Sequence, residues 1–146
     1  MKTTVLDASA LLALLYDEAG AEKVENLFLE AEEADKPMLI ASVNWAEVVY
    51  KMQRKTGVQG LEVVRQFEST MPLAIEPMDR ELAEAAAGLK VAHGLGLADA
   101  FAAALARQKK ADLVTADTEF KAVEKEIKIN WLKLNESNGS IKTRCP

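Results

Sequence analysis

The stretch Thr3-Thr4-Val5-Leu6-Asp7 decides the fold class, because it is a short β-branched and apolar run that ends at an acid. Such a run is typical of a buried strand. Residues 112–115, Asp-Leu-Val-Thr, have the same character, and Asp117 follows two positions later. Two strands that each lead into an acid place carboxylates at the carboxyl edge of a sheet, where open α/β folds bind their ligands.

Strand and helix patterns alternate along the rest of the chain. Residues 38–41 and 73–75 predict two more strands, and Ile127, Ile129 and Trp131 alternate with polar residues as in an edge strand. Six helices are predicted between them: one capped by Ser9, one over 21–34, one from Ser42 or Asn44 to about Lys55, one around 61–67, one capped by Asp79 and one over 97–108. The order predicts an α/β fold, a three-layer α/β/α sandwich on a mainly parallel five-stranded sheet.

Length and composition predict one globular domain. A chain of 146 residues with 49% hydrophobic residues can bury one core. We assign residues 1–134 to this domain and residues 135–146, which are polar and turn-rich, to a flexible C-terminal tail. The only cysteine, Cys145, cannot form an internal disulfide, which suits a reducing cytosol.

Membrane insertion and secretion are not expected. No apolar run approaches the ~20 residues of a membrane span. Asp7, Asp17 and Glu18 interrupt the apolar N-terminal segment, so it does not resemble a signal peptide. We therefore expect a cytoplasmic protein without a membrane partner.

The net charge of −5 argues mildly against nucleic acid, because phosphate contacts need Lys and Arg. Carboxylates that hold cations would weaken this objection, since the cations reverse the local charge. Two local groups of basic residues are candidates for phosphate contacts: Lys51, Arg54 and Lys55, and Arg107, Lys109 and Lys110. Both groups also fit helix ends, where cations favour the last turn.

Four acids are candidates for one cluster. Asp7 and Asp117 follow strands, and Glu47 lies in the first turns of the helix after the second strand. Asp99 opens the helix before the fourth strand, and the chain alone does not show that it reaches the same edge. Each acid also has an ordinary structural reading as a strand-end, helix-start or turn acid. Glu47 in particular can form a capping box with Asn44, although its apolar neighbours predict a half-buried carboxylate.

A cluster of these four acids would need a cation. Two carboxylates ~5 Å apart repel by about 3 kcal/mol at an effective dielectric constant of ~20, and four carboxylates make several such pairs. Either some of them are protonated or a cation lies among them. Carboxylate oxygens without His or Cys suit Mg²⁺ or Mn²⁺.

Four segments in this order resemble the PIN-domain ribonucleases, and specifically the VapC-type toxins of toxin–antitoxin pairs. The segments are Val5-Leu6-Asp7-Ala8-Ser9, residues 42–48 (Ser-Val-Asn-Trp-Ala-Glu-Val), residues 96–104 (Gly-Leu-Ala-Asp-Ala-Phe-Ala-Ala-Ala) and residues 113–120 (Leu-Val-Thr-Ala-Asp-Thr-Glu-Phe). The resemblance covers about residues 3–134.

The resemblance implies a strand order of 3-2-1-4-5 and hydrolysis of RNA with Mg²⁺ or Mn²⁺. The family's catalytic and metal-binding acids fall at Asp7, Glu47, Asp99 and Asp117. Its supporting hydroxyls fall at Ser9 and Thr115, and Asn44 occupies a position where many relatives carry a polar residue. A cognate antitoxin and homodimerisation are further expectations. The implied function is the endoribonuclease toxin of a type II toxin–antitoxin system.

Three alternative functions fit the sequence less well. A receiver-type domain would need an Asp after the third strand, where Glu76-Pro77 stands instead. A phosphatase of the haloacid-dehalogenase type would need a second Asp at Ser9. A catalytically inactive PIN-fold binding module is disfavoured by four acids that would repel one another.

Overall fold

The computed structural model describes residues 1–132, which are built around a five-stranded sheet. Its strands are β1 (Thr4–Leu6), β2 (Met38–Ala41), β3 (Leu73–Glu76), β4 (Asp112–Thr115) and β5 (Ile129–Trp131). They lie in the order β3-β2-β1-β4-β5, and every pairing is parallel. The predicted parallel sheet and the implied strand order are confirmed. The edge strand β5 is shorter than the alternation of residues 127–131 indicated.

Six α-helices connect the strands, as the sequence patterns predict. They are α1 (Ala8–Leu15), α2 (Ala21–Ala34), α3 (Ser42–Thr56), α4 (Val58–Thr70), α5 (Arg80–His93) and α6 (Leu97–Lys109). A 3-10 helix at Thr118–Val123 follows β4 and was not predicted. Its six residues are too few to show a helical period in the sequence.

Alternate residues of each central strand enter two different cores, which makes the fold a three-layer α/β/α sandwich. Val5 and its register partner Leu113 face a core formed with α5 and α6. Leu6 and its partner Val114 face a core formed with α1 to α4. Neighbouring side chains of a strand point to opposite faces, so a short β-branched and apolar run serves both cores.

Helix α6 is the most buried helix next to the sheet. Every residue from Ala100 to Ala106 is buried, and five of these seven residues are alanines. Small side chains let the helix axis lie close to the strands. Because α6 leads into the amino end of β4, it must run back across the sheet, and its own first turn therefore lies at the carboxyl edge. This connection brings Asp99 to the edge where Asp7 and Asp117 lie.

Two predicted helix caps are wrong. The cap of α1 is Asp7, whose side chain accepts a hydrogen bond from the Ala10 amide, whereas Ser9 lies inside the first turn. The cap position of α3 is Ala41, which makes no side-chain capping bond, so neither Ser42 nor Asn44 caps this helix. Strand β2 runs directly into α3 at these residues, and this leaves no room for a separate capping turn.

Glycine permits the close contact between α3 and α4. Gly57 ends α3 as predicted, with a φ of 71°. A Cβ at Gly60 would lie 2.3 Å from the Met52 carbonyl oxygen and 2.7 Å from the Thr56 hydroxyl. Only a residue without a side chain fits there without movement of one helix.

No single helix within residues 1–132 is long and apolar enough to cross a membrane. Helices α5 and α6 together have the length and composition of a span, but they are bent by 114° relative to each other. The predicted tail, residues 135–146, lies outside the described residues, and the boundary at residue 134 stays a prediction.

Candidate functional site

The carboxyl edge of the sheet brings Asp7 and Asp117 together. Asp7 directly follows β1, and its amide donates to the Val114 carbonyl oxygen at 3.3 Å, so that β1 and β4 stay paired up to the acid. Asp117 follows β4 and begins the 3-10 helix, where its side chain accepts from the Glu119 amide at 2.9 Å. The strand-end placement predicted for both acids matches the structure.

Asp7 is held by a ring of donors. Ser9 Oγ lies 2.8 Å from Oδ1 and 3.0 Å from Oδ2, and the Thr115 hydroxyl donates to Oδ2 at 2.6 Å. The Ala10 amide donates to Oδ1 at 2.9 Å. The carboxylate is only 2% exposed, so these bonds replace the water that it lost on burial. Ser9 and Thr115 thus contact the acid that they were expected to support.

The same two hydroxyls also fix the backbone that follows β4. Ser9 Oγ accepts from the Ala116 amide at 3.1 Å, and Thr115 Oγ1 accepts from the Asp117 amide at 2.9 Å. The two hydroxyl oxygens lie 3.3 Å apart. Asp7 and Asp117 are therefore positioned by one shared network, although they are far apart in the sequence.

Asp99, Asp117 and Glu119 form the densest group of carboxylates. One oxygen from each lies within 4.8 Å of the others, a spacing that can hold a metal ion. Glu119 is the residue that sequence reasoning missed. Its position in the sequence could have indicated it, because Glu119 lies only two residues after Asp117. Whether its side chain reaches the cluster, however, depends on the 3-10 helix, which the sequence patterns did not predict.

Glu47 lies at the margin of this group. The capping box with Asn44, the alternative to a role in the cluster, is absent because α3 has no side-chain cap, and Glu47 instead pairs with Lys51 at 3.1 Å. Its side chain is 26% exposed, in agreement with the half-buried carboxylate that was expected. It is close enough to Asp99 to help raise the pKa of that residue.

Burial and mutual repulsion raise the pKa of two of the acids. Burial raises the pKa of Asp7 to about 6, although the bonds from Thr115, Ala10 and Ser9 oppose this rise. Burial raises the pKa of Asp99 to about 7, with further contributions from the charges of Asp117, Asp7, Glu119 and Glu47. All four predicted acids therefore share one electrostatic environment, and Glu119 is its fifth member.

Asn44 links helix α3 to the first turn of α6. It is 1% exposed, and its Nδ2 donates to the Ala98 carbonyl oxygen at 3.0 Å. Its Oδ1 is buried and has no hydrogen-bond partner among residues 1–132. Because Ala98 precedes Asp99, this contact ties the position of one acid to the helix that carries Glu47.

The donor set has the chemistry that a hard divalent cation requires. The group consists of carboxylate oxygens, and no His or Cys belongs to it within the described chain. Burial first and the neighbouring carboxylates second raise the pKa of Asp99, and a bound cation would oppose both effects by stabilising the ionised carboxylate. The residues therefore fit Mg²⁺ or Mn²⁺ better than zinc.

Comparisons with known proteins agree with this fold. Residues 4–126 match the PIN domain family. No curated protein matches the chain.

Several solved structures share the fold at low sequence identity. The VapBC2 complex from Rickettsia felis, bound to a promoter DNA fragment, is 21% identical with a TM-score of 0.72, over 90% of this chain and 99% of that chain. The DNA-bound VapBC complex from Salmonella typhimurium is 20% identical with a TM-score of 0.70, over 91% and 100%. A sarcin-ricin loop cleaving toxin from Mycobacterium tuberculosis is 20% identical with a TM-score of 0.66, over 83% and 95%. With a family match over most of its length and the corresponding sheet, this chain belongs to the PIN domain family.

Proposed function

We propose that this PIN-domain protein is a metal-dependent endoribonuclease and the toxin component of a type II toxin–antitoxin system. The observation that carries the proposal is the convergence of five carboxylates at one sheet edge, with Asp99, Asp117 and Glu119 within 4.8 Å of one another. A protein that only binds a partner gains nothing from such a group, because its members repel one another.

Asp99, Asp117 and Glu119 would hold Mg²⁺ or Mn²⁺, with Asp7 and Glu47 beside them. When bound, the ion would lower the pKa of a water molecule and neutralise negative charge that develops on the phosphodiester. Asp7, Glu47, Asp99 and Asp117 are accordingly the proposed catalytic and metal-binding residues. We add Glu119 to this set because one of its carboxylate oxygens lies within 4.8 Å of those of Asp99 and Asp117.

The chain's own residues orient this group. Thr115 and Ser9 hold both oxygens of Asp7, and Thr115 also fixes the Asp117 amide, so that these two acids keep their spacing when RNA enters. Asn44 holds the first turn of α6, and with it Asp99. Lys51 holds the Glu47 carboxylate and adds a positive charge beside the place where a phosphodiester would lie.

The proposed partners follow from the structural neighbours. The complexes from Rickettsia felis and Salmonella typhimurium are VapBC assemblies, and a Klebsiella pneumoniae neighbour is a toxin-antitoxin complex. By analogy, we expect a cognate antitoxin that blocks the acid cluster and a homodimer of this chain. We also propose that the protein acts in the cytoplasm, where it would meet an RNA substrate and an antitoxin.

The decisive experiment is cleavage of labelled single-stranded and structured RNA with Mg²⁺ or Mn²⁺. We expect cleavage that EDTA abolishes and that Asp7→Asn lowers by at least about 100-fold, since preorganised electrostatic groups contribute on this order. Asp35→Asn is the matched control, because Asp35 is exposed at the far end of α2 and Asn also tolerates its positive φ. Cleavage in EDTA, or equal cleavage by Asp7→Asn, would refute the mechanism. No cleavage at all would favour the inactive binding module.

Metal binding can be tested without RNA. Mn²⁺ added to metal-free protein should raise the thermal midpoint, because a ligand at 100 times its Kd stabilises the folded state by about 2.7 kcal/mol. Asp99→Asn should abolish this shift, and Asp35→Asn should retain it. The absence of a shift at millimolar Mn²⁺ would contradict the proposed site.

A further inference from the structure

Helix α3 carries basic and aromatic residues on the same face as Glu47. Tyr50, Lys51, Arg54 and Lys55 lie three, four, seven and eight positions after Glu47. These spacings place them on one side of a helix. We call these four residues the α3 stripe. It begins at the margin of the acid cluster and runs away from it to the end of the helix.

Contacts along the α3 stripe arrange its charges. Lys51 pairs with Glu47 at 3.1 Å. The Arg54 guanidinium lies 5.1 Å from the centre of the Tyr50 ring, and the Lys55 ammonium lies 4.1 Å from the centre of the Tyr16 ring. Rings that hold cations in this way keep long side chains in place on the surface.

The two outer cations are available to an anion. Arg54 and Lys55 are exposed, and neither forms an ion pair with a carboxylate within residues 1–132. Tyr50 is 45% exposed, so part of its ring also faces solvent. Cations in the last turn of a helix interact favourably with its dipole. This effect does not explain why Lys51, Tyr50 and Tyr16 lie beside these cations.

We infer that the α3 stripe binds the backbone of the RNA strand on one side of the bond that is cleaved. This inference rests on the proposed ribonuclease function and adds the path of its substrate. From Glu47 to Lys55 the helix rises about 12 Å, which matches three to four stacked nucleotides at about 3.4 Å each. Arg54 and Lys55 would contact phosphates, and the exposed part of Tyr50 would meet a base.

The charge of the whole protein favours such a path. At a net charge of −5, the chain repels RNA unless local cations compensate. The α3 stripe supplies three cations next to the acids. In this arrangement the acid cluster would bind the reacting phosphate, and the α3 stripe would bind the phosphates beside it.

Binding can be measured separately from cleavage in the Asp7→Asn background with Mg²⁺. A fluorescein-labelled 12-nucleotide single-stranded RNA is titrated at several KCl concentrations and followed by anisotropy. The test variant is Arg54→Gln with Lys55→Gln. The control variant is Lys125→Gln with Lys128→Gln, which removes the same charge from exposed residues in the segment that leads into the amino end of β5.

The test variant should bind about tenfold more weakly at moderate salt, and its salt dependence should be shallower by about 1.4 in log–log slope, since each lost contact to a single strand removes ~0.7. The control variant should match the parent in both. Equal loss in both variants, or no loss in the test variant, would overturn the inference. Thermal unfolding of both variants checks that each is folded. Absence of cleavage by the wild-type protein with an intact binding difference would overturn the ribonuclease proposal alone.

Discussion

At the scale of single residues, the Thr115 hydroxyl joins two acids that come from different parts of the chain. It donates to Asp7 at 2.6 Å and accepts from the Asp117 amide at 2.9 Å. Its side chain is fully buried, so water cannot replace either bond. A buried carboxylate that loses a donor is left with unmet hydrogen-bonding capacity, which costs more than the bond itself contributes.

Thr115→Val should therefore impair both stability and catalysis. The substitution keeps the shape and removes the hydroxyl, so we expect a loss of about 1–3 kcal/mol in unfolding free energy. RNA cleavage should fall at least about tenfold, because Asp7 and Asp117 lose their common support. Thr4→Val is the matched control, since Thr4 is also buried in the sheet but, within residues 1–132, its hydroxyl bonds only to the Lys2 carbonyl oxygen. Unchanged cleavage by Thr115→Val would show that the hydroxyl has no positioning role.

The raised pKa of Asp99 also predicts how the metal-free protein responds to pH. In the folded state the pKa is about 7, whereas an unfolded chain has an Asp pKa of about 3.9. Between these values the folded state binds more protons than the unfolded state, so stability falls as the pH rises from about 4 to about 7. Asp7, with a pKa of about 6, contributes in the same direction.

Asp99→Asn should remove part of this pH dependence. In EDTA at pH 8 we expect the variant to be more stable than the parent by about 1–2 kcal/mol, a value reduced for solvent screening because Asp99 is partly exposed. At pH 4.5 the difference should nearly vanish. Urea unfolding at both pH values measures it, with Glu33→Gln on the exposed side of α2 as the control. Equal effects at both pH values would contradict a folded-state pKa of Asp99 near 7.

At the scale of elements, helix contacts depend on where glycine occurs. Gly60 lets α4 approach the Met52 carbonyl of α3, whereas Gly88 lies on the exposed side of α5 and has no atom near the position of a Cβ. The same substitution should therefore have opposite effects at these two positions.

Gly60→Ala should destabilise the fold by about 1–3 kcal/mol, because one helix must shift to admit the methyl group. Gly88→Ala should stabilise it by about 0.5–1 kcal/mol through the better helix propensity of alanine. Chemical denaturation of both variants measures the pair. If Gly60→Ala proved as stable as Gly88→Ala, the close contact between α3 and α4 would be refuted.

At the scale of the whole molecule, residues in and just after β5, at the end of the described chain, pack against both cores. Leu132 is 3% exposed and belongs to the core that α1 to α4 cover. Leu132 also contacts the turn at Gly20, where an added Cβ would lie 3.3 Å from its Cβ. The domain therefore needs the chain at least as far as Leu132.

Truncation tests the predicted domain boundary. A chain of residues 1–134 should unfold at the same temperature as the full chain and cleave RNA equally well. A chain of residues 1–128 loses β5 and Leu132, and should lose about 3 kcal/mol or more, since burying one large apolar side chain contributes ~1.5–3 kcal/mol. Calorimetry of the three lengths checks this. A marked loss in the 1–134 chain would show that the tail has a structural role.

The order of the elements and the acids at the strand ends were readable in the sequence, because both follow from local patterns. A β-branched and apolar run that ends at Asp7 or precedes Asp117 marks its own strand and its own edge. The helix caps were predicted less well, because Asp7 caps α1 in place of Ser9 and Asn44 bonds to Ala98. Capping depends on how strand and helix join in three dimensions.

Only the tertiary structure decided which acids meet. Asp99 reaches the site because α6 returns across the sheet, and Glu119 reaches it because a 3-10 helix turns the chain after β4. Lys51 forms an ion pair with Glu47 because the two lie one turn apart on α3 and Glu47 makes no capping bond to the helix start. The sequence by itself determined the fold class and the four acids worth testing. Their distances, the fifth acid and the raised pKa values arise from packing between elements, which local sequence patterns do not encode.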